Sequence, residues 1–185
     1  MANDCCGIMR VVAKSREAIE RFEDIMNFKD AEFFCYRVRG FSRFGEITCE
    51  NGFFSADFET DSAWSSESWF DGGDHPDILL HIGYEKRPDG TEDCNKPIVG
   101  TAHRTDIHTL APKIGIAVEL WATEPGVGFA EHATCTHAGE TEYDTRDLSI
   151  VESEENEDEY EEINDFGDEW EEWGSLKDIW GNDEI

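Results

Sequence analysis

The chain has 185 residues, with 44 acids against 15 bases and a formal charge of −29. That balance excludes a nucleic-acid binder working by phosphate neutralisation and disfavours an anionic membrane surface, because both need clustered Lys and Arg. At 38% apolar and 12% aromatic it carries too much apolar material to be wholly disordered.

No apolar run reaches the roughly 18 residues of a membrane span. Met1-Ala2-Asn3-Asp4-Cys5 lacks the basic and apolar regions of a signal peptide, so the expected compartment is the cytoplasm, with the Cys reduced.

In chain order, residues 8–13 are apolar apart from Arg10 and predict a central strand. Ser15 is placed to cap a helix whose Ile19, Phe22, Ile25 and Met26 form one buried stripe. Two alternating segments, 46–50 and 53–59, flank Asn51-Gly52. That dipeptide favours a hairpin because both turn residues accept positive φ. Phe54, Ala56 and Phe58 then share one face and Ser55, Asp57 and Glu59 the other.

Residues 71–103 are rich in Gly, Asp and Pro and read as an inserted loop region; Ile78-Leu79-Leu80 within it fits strand or helix. Thr105 or Asp106 caps a short helix with Ile107, Leu110 and Ala111 inward, and Pro112 is expected to stop it. Ile116, Val118 and Leu120 alternate with Ala117, Glu119 and Trp121 as a strand, Pro125-Gly126 turns, and 129–137 returns. The order predicts an α+β, ferredoxin-like antiparallel sheet over residues 1–150, with helices on one face and the other face partly open.

The segments Phe54-Ser55-Ala56-Asp57, Ser62-Ala63-Trp64-Ser65 and Trp69-Phe70-Asp71-Gly72 resemble a block of the YubB-type ferredoxin-like proteins. So do residues 110–139, above all Glu124-Pro125-Gly126-Val127-Gly128-Phe129-Ala130-Glu131-His132. These are accessory proteins of phages and plasmids. The resemblance implies the fold and a mobile-element origin, but no established activity and no catalytic residues. The 71–103 insert and the C-terminal tail depart from it.

Motifs for chemistry are weak. His132-x-x-Cys135-x-His137 offers three metal-ligand types, but strand parity sends His132 to the face opposite Cys135 and His137, and no C-x-x-C supplies a fourth ligand. Cys5-Cys6 sits among acidic neighbours, which weaken a thiol. Paired carboxylates are too abundant to single out an acid or base, and the G-x-G-x-x-G, P-loop and G-x-S-x-G patterns are absent. Asp71-Gly72-Gly73 reads as a turn. No metal, cofactor or catalytic residue is expected.

The sharpest feature is residues 151–185, which hold 16 of the acids and one base, Lys177: a net −15. Tyr160, Ile163, Phe166, Trp170, Trp173, Leu176 and Trp180 recur every three or four residues, predicting a helical apolar stripe. Gly167 and Gly174 interrupt it. One reading is an acidic tail that keeps the chain soluble, its aromatics folded back on the open sheet face.

The other is an acidic nucleic-acid mimic. The expected partner is then a basic nucleic-acid-binding host protein, such as a CRISPR effector or restriction enzyme, with no direct nucleic-acid or membrane contact. Carboxylates of Glu157, Asp158, Glu161, Glu162, Asp165, Glu169, Glu171 and Glu172 would steer, and Trp170, Trp173 and Trp180 would anchor. A separate alternative is a small enzyme or ligand binder on the open sheet face, using Trp64, Trp69, Trp121, His132 and His137. Whether the body's acids Glu46, Glu50, Asp57, Glu59 and Asp61 join the tail is left to the structure.

Overall fold

The structure, a computed structural model, describes residues 4–30, 32–35, 38–63, 65–70, 78–152 and 160–181. Strands dominate. β1 (Asp4–Ala13), α1 (Arg16–Met26), β2 (Phe33–Cys35), β3 (Val38–Glu50), β4 (Phe53–Ala63) and α2 (Glu67–Phe70) come first. β5 (Ile78–Lys86), β6 (Glu92–Thr105), α3 (Ile107–Ile114), β7 (Ile116–Glu124), β8 (Phe129–Cys135) and β9 (Thr141–Glu152) follow. β10 (Tyr160–Asn164), a 3₁₀ turn (Gly167–Glu169) and α4 (Leu176–Trp180) end the described chain.

One sheet of seven strands runs β10-β9-β8-β7-β1-β4-β3, and a second of three runs β2-β6-β5. The ferredoxin-like α+β expectation is therefore corrected. The longest helix, α1, has 11 residues. Strands β8 to β10 widen the sheet, and α4 packs on the face opposite α1 and α3, so helices do not keep to one face. Strand β9 runs through residue 150, and β10 pairs with it.

Local chemistry explains the elements. Ser15 accepts from the Ala18 N–H and caps α1, whose Ile19, Phe22, Ile25 and Met26 are buried. Asn51 and Gly52 both have positive φ, at 51° and 81°, the geometry that matches the twist of adjoining strands. Asp106 caps α3 through the Thr109 N–H.

Pro112 does not stop α3. It lies inside, and the helix ends at Gly115 in the left-handed region. Proline's missing N–H frees the His108 carbonyl. Gly139 comes so close that a Cβ there would stand 2.7 Å from that oxygen. The Gly139 carbonyl in turn faces His108 Nδ1 at 2.5 Å.

The inserted 71–103 region is largely strand, not loop. Ile78-Leu79-Leu80 opens β5, which pairs antiparallel with β6. Residues 71–73 lie outside the described residues.

Parity assigns each strand two faces. Met9, Val11, Phe58, Ile116, Val118, Leu120, Ala133 and Cys135 face α1, α2 and α3 and form the main core. Val12, Phe53, Ala117, Trp121 and Ala130 face the other way. No helix among the described residues is long and apolar enough to cross a membrane.

Candidate partner-binding surface

The second face of the sheet is covered over β7, β8 and the C-terminal half of β1. Residues 165–181 lie across it as a strap. They are not one long helix, because three local conformations break the period: Gly167 at φ 56°, Glu171 at φ 58° and Gly181 at φ 86°. The left-handed residue Glu171 separates Trp170 from Trp173 and lets both rings turn to the sheet, while Glu171 and Glu172 stay exposed.

Two aromatic clusters fix the strap. In the first, Trp121 meets Phe166 edge-on at 5.1 Å and Trp170 at 5.3 Å, and stacks on His132 at 3.8 Å. Phe166 is buried, and Trp170 and Trp173 are partly so. In the second, Trp180 packs near Phe53 at 5.8 Å and stacks on His137 at 4.5 Å with rings 3° apart. His137 gives its backbone N–H at 3.1 Å to the Trp180 carbonyl. Its Nδ1 stands 2.6 Å from the same oxygen, which accepts only, so that nitrogen carries the proton.

Charged residues inside the sheet face pin the middle of the strap. Arg10 makes a two-point pair with Asp57, at 2.8 and 3.0 Å, and its guanidinium lies 4.6 Å over the Trp173 ring. Buried Glu119 accepts from the Gly174 N–H at 3.0 Å and stands 2.9 Å from His132 Nε2. Arg146 sits 4.3 Å over Phe166 and reaches Asp144 and Glu169.

The acids left outward are Asp165, Asp168, Glu169, Glu171, Glu172 and Asp178, all exposed. Of their ion pairs among the described residues, the one that forms is Arg146–Glu169 at 3.4 Å. A cavity of about 370 Å³ between the strap's Gly174 to Lys177 and Arg10, Glu50, Asn51 and Phe53 shows where strap and body meet. Of the body's acids, Glu50 and, through the Arg10–Asp57 pair, Asp57 adjoin the strap.

Of the residues expected to bind a partner, Asp165, Glu169, Glu171 and Glu172 are together on this surface. Trp170 and Trp173 offer one edge to it. Trp180 does not, because its ring is 5% exposed and serves the fold. Glu161 and Glu162 fall on β10. Glu157 and Asp158 lie outside the described residues, as does Trp64.

The alternative ligand site loses its open face. Trp69 and Trp121 are 0% and 4% exposed, His132 meets the strap's Phe166 edge-on at 6.5 Å, and His137 stacks on and bonds to the strap's Trp180. His132, Cys135 and His137 occupy three separate surroundings: Glu119 and Trp121, the main core, and Trp180.

Sequence reasoning passed over Arg10 and Glu119, and set Glu131 aside as a chance neighbour of His132 among 44 acids. Glu131 is 1% exposed and accepts from Ser65 Oγ at 2.5 Å, from the Ser66 N–H at 3.0 Å, from the Ser66 hydroxyl and from Cys5 Sγ at 3.4 Å. It ties the 65–66 segment and β1 to β8. Burial, and then the Glu131 charge, push the Cys5 thiol and the Tyr143 phenol well above their usual ranges.

Cys5 and Cys6 point to opposite faces, one buried and one exposed. Burial, then Asp106, raises Cys135 to about 12. Burial, then Asp61, raises Cys6. A raised thiol is less thiolate at neutral pH and reacts slowly. The native protein at pH 8 should therefore react with a thiol reagent such as DTNB quickly at exposed Cys49 and Cys94 and more slowly at Cys6. Cys5, Cys35 and Cys135 should react only in denaturant. Fast labelling of Cys5 or Cys135 would contradict the packing described.

Searches against protein-family models, curated proteins and solved structures find no match.

Proposed function

We propose that this chain is a non-enzymatic inhibitor of phage or plasmid origin. Its acidic surface stands in for nucleic acid and occludes the basic face of a host nucleic-acid-binding defence protein, such as a CRISPR effector or a restriction enzyme. The observation that carries the reading is the strap: six exposed carboxylates with a single base, Lys177, held on a sheet by buried aromatic rings. Carboxylates on a loose tail bind weakly, because each exposed pair is worth about 0–1 kcal/mol and ordering the tail opposes it. Carboxylates on a fixed strap avoid that ordering cost. The edges of Trp170 and Trp173 add apolar contact between them.

The test is salt-resolved capture from host lysate, followed by binding kinetics with the protein recovered. Glu169→Gln, Glu171→Gln and Glu172→Gln together should lower the association rate about tenfold at low salt and flatten its salt dependence, with little change in dissociation. The substitutions leave the buried rings alone, so melting should be unchanged. Deleting residues 151–185 is a poorer test, because it uncovers the sheet. A partner whose binding ignores both salt and the triple variant would end the mimicry reading. So would micromolar binding of free duplex DNA or RNA by the chain itself at physiological salt.

A further inference from the structure

The strap stops short of one end of the second sheet face. Strand pairing sets a grid there: Gly40, Asp61 and Cys6 in one row, Ser42, Glu59 and Ile8 in the next, and Phe44, Asp57 and Arg10 in the third. Parity puts these side chains on the strap's side of the sheet, because they alternate with buried Cys5, Met9, Phe41, Phe58 and Thr60. The third row is covered: Arg10 makes its two-point pair with Asp57, and the Trp173 ring lies over the guanidinium. In the first two rows Cys6, Ser42 and Glu59 are exposed, and Ile8 and Asp61 partly so. Phe44 beside them is 46% exposed.

A groove of about 390 Å³ follows these rows, with Cys6, Gly40, Ser42, Glu59 and Asp61 in its lining. Gly40 keeps it open, because a Cβ there would stand 3.3 Å from the Asp61 Cβ. Three arginines lie on β1, β3 and β4, and each is engaged elsewhere: Arg10 with Asp57, Arg39 with Asp4 and Arg43 with Glu23. Glu59 and Asp61 form no ion pair among the described residues, and Asp61 Oδ1 is buried without a donor. An unpaired buried acceptor is costly, and a donor brought by a partner relieves it.

The molecule carries its own example of how this face takes a guanidinium. Asp57, two residues from Glu59 on the same side of β4, holds Arg10 by two bonds with an aromatic ring above. Glu59 and Asp61 continue the row at a strand spacing of about 6.6 Å, with Ile8 and Phe44 as the apolar surroundings. A guanidinium suits such a site better than an ammonium, because its planar fork pairs bidentately and its weakly hydrated faces rest on apolar surface.

We propose that this end of the sheet is a second contact for the partner and takes one of its arginine side chains between Glu59 and Asp61. The proposal rests on the reading of a basic partner given above and assigns where one of that partner's arginines goes.

The probe is a hexa-arginine peptide, with hexa-lysine as its control, titrated into the full ¹⁵N-labelled chain at about 0.15 M salt. Amide signals of residues 6–8, 40–44 and 59–61 should shift, and hexa-arginine should bind about threefold more tightly than hexa-lysine. Glu59→Gln with Asp61→Asn should weaken hexa-arginine binding about tenfold and abolish those shifts, while shifts on the strap persist. Both substitutions keep the side-chain shape, so melting should be unchanged. If the pair fails to fold, Glu59→Gln alone, at an exposed position, should weaken binding about threefold. Glu17→Gln with Asp24→Asn removes the same charge from the exposed side of α1 and should change binding less than about twofold.

Shifts confined to the strap, an equal loss in the α1 variant, or equal binding of the two peptides overturns the proposal. Each of these leaves the mimicry reading in place, because that reading is judged on Glu169, Glu171 and Glu172.

Discussion

Trp180→Ala should lower stability by about 3–5 kcal/mol, the range for a large aromatic removed from a packed site. The indole is 5% exposed and stacks on His137, with Phe53 beside it and Lys14 at 5.4 Å from its ring. Its loss uncovers Val12, Phe53 and Ala117 on the sheet. For a chain of this length that is a fall in melting temperature of roughly 6–20 °C. Trp180→Phe keeps a ring over His137 and should recover more than half of the loss. Thermal melting with circular dichroism decides the matter. A Trp180→Ala protein that melts like the wild type would mean that the strap is not bound to the sheet as described.

Glu131→Ala should cost about 3 kcal/mol or more. Its carboxylate receives the Ser65 and Ser66 hydroxyls, the Ser66 N–H and the Cys5 thiol. Alanine leaves these donors buried without an acceptor, and an orphaned buried donor forfeits its full hydration. Glu131→Gln keeps one acceptor oxygen and offers an N–H₂ on the other side, which a serine hydroxyl can accept but the Ser66 N–H cannot use. Its loss should fall between those of wild type and alanine. Urea unfolding of the three proteins gives the order. The Gln variant also tests the cause of the Tyr143 shift: in an ultraviolet absorbance titration its Tyr143 phenol should titrate lower than in the wild type, because a negative neighbour is gone while burial remains.

Where one physical rule dominated, the sequence was readable. The α1 stripe with its Ser15 cap, the Asn51-Gly52 turn and the alternation of β7 each follow from a period or a special φ, and each is present. Failure came where two rules compete. The strap's apolar residues recur at three and four, which is helical spacing, yet the chain is strand, turn and short helix there. The spacing arises from successive turns lowering rings onto the sheet, and the left-handed Gly167 and Glu171 break the continuous helix.

That misreading propagated to the fold. One reading did fold the tail's aromatics back on the open sheet face, as the strap does, but with the tail set apart at residue 150 the fold itself was drawn with helices on one face only. Residues 71–103 were taken for a loop because the turn formers around Pro88-Asp89-Gly90 outweighed the β-branched residues on either side.

The candidate surface was half readable. Its charge stood out in composition alone, but composition cannot tell an outward ring from an inward one, so Trp180 was assigned to a partner that it does not face. Arg10 carried a usable signal, a lone charge in an apolar strand. Glu131 did too: it shares parity with Ala133 and Cys135 on β8, which marks it as inward and so as a group needing donors. Among 44 acids that parity was the one thing distinguishing it.

The separation of the two cores has a consequence for how the molecule opens. The main core beneath the three N-terminal helices is continuous, whereas the strap rests on two small clusters, around Trp180 and around Trp121. The sheet stands between them. Losing the strap's contacts leaves α1 and α3 packed, so the chain has a cooperative unit of lower stability stacked on one of higher stability. In hydrogen–deuterium exchange, the amides of residues 166–181 form one early-exchanging set. Those of β1 and β7, hydrogen-bonded on both sides in the middle of the sheet, persist to the global limit. The carboxylates therefore ride on the part of the fold that opens first, and weakening it costs them their fixed geometry before it costs the chain its fold.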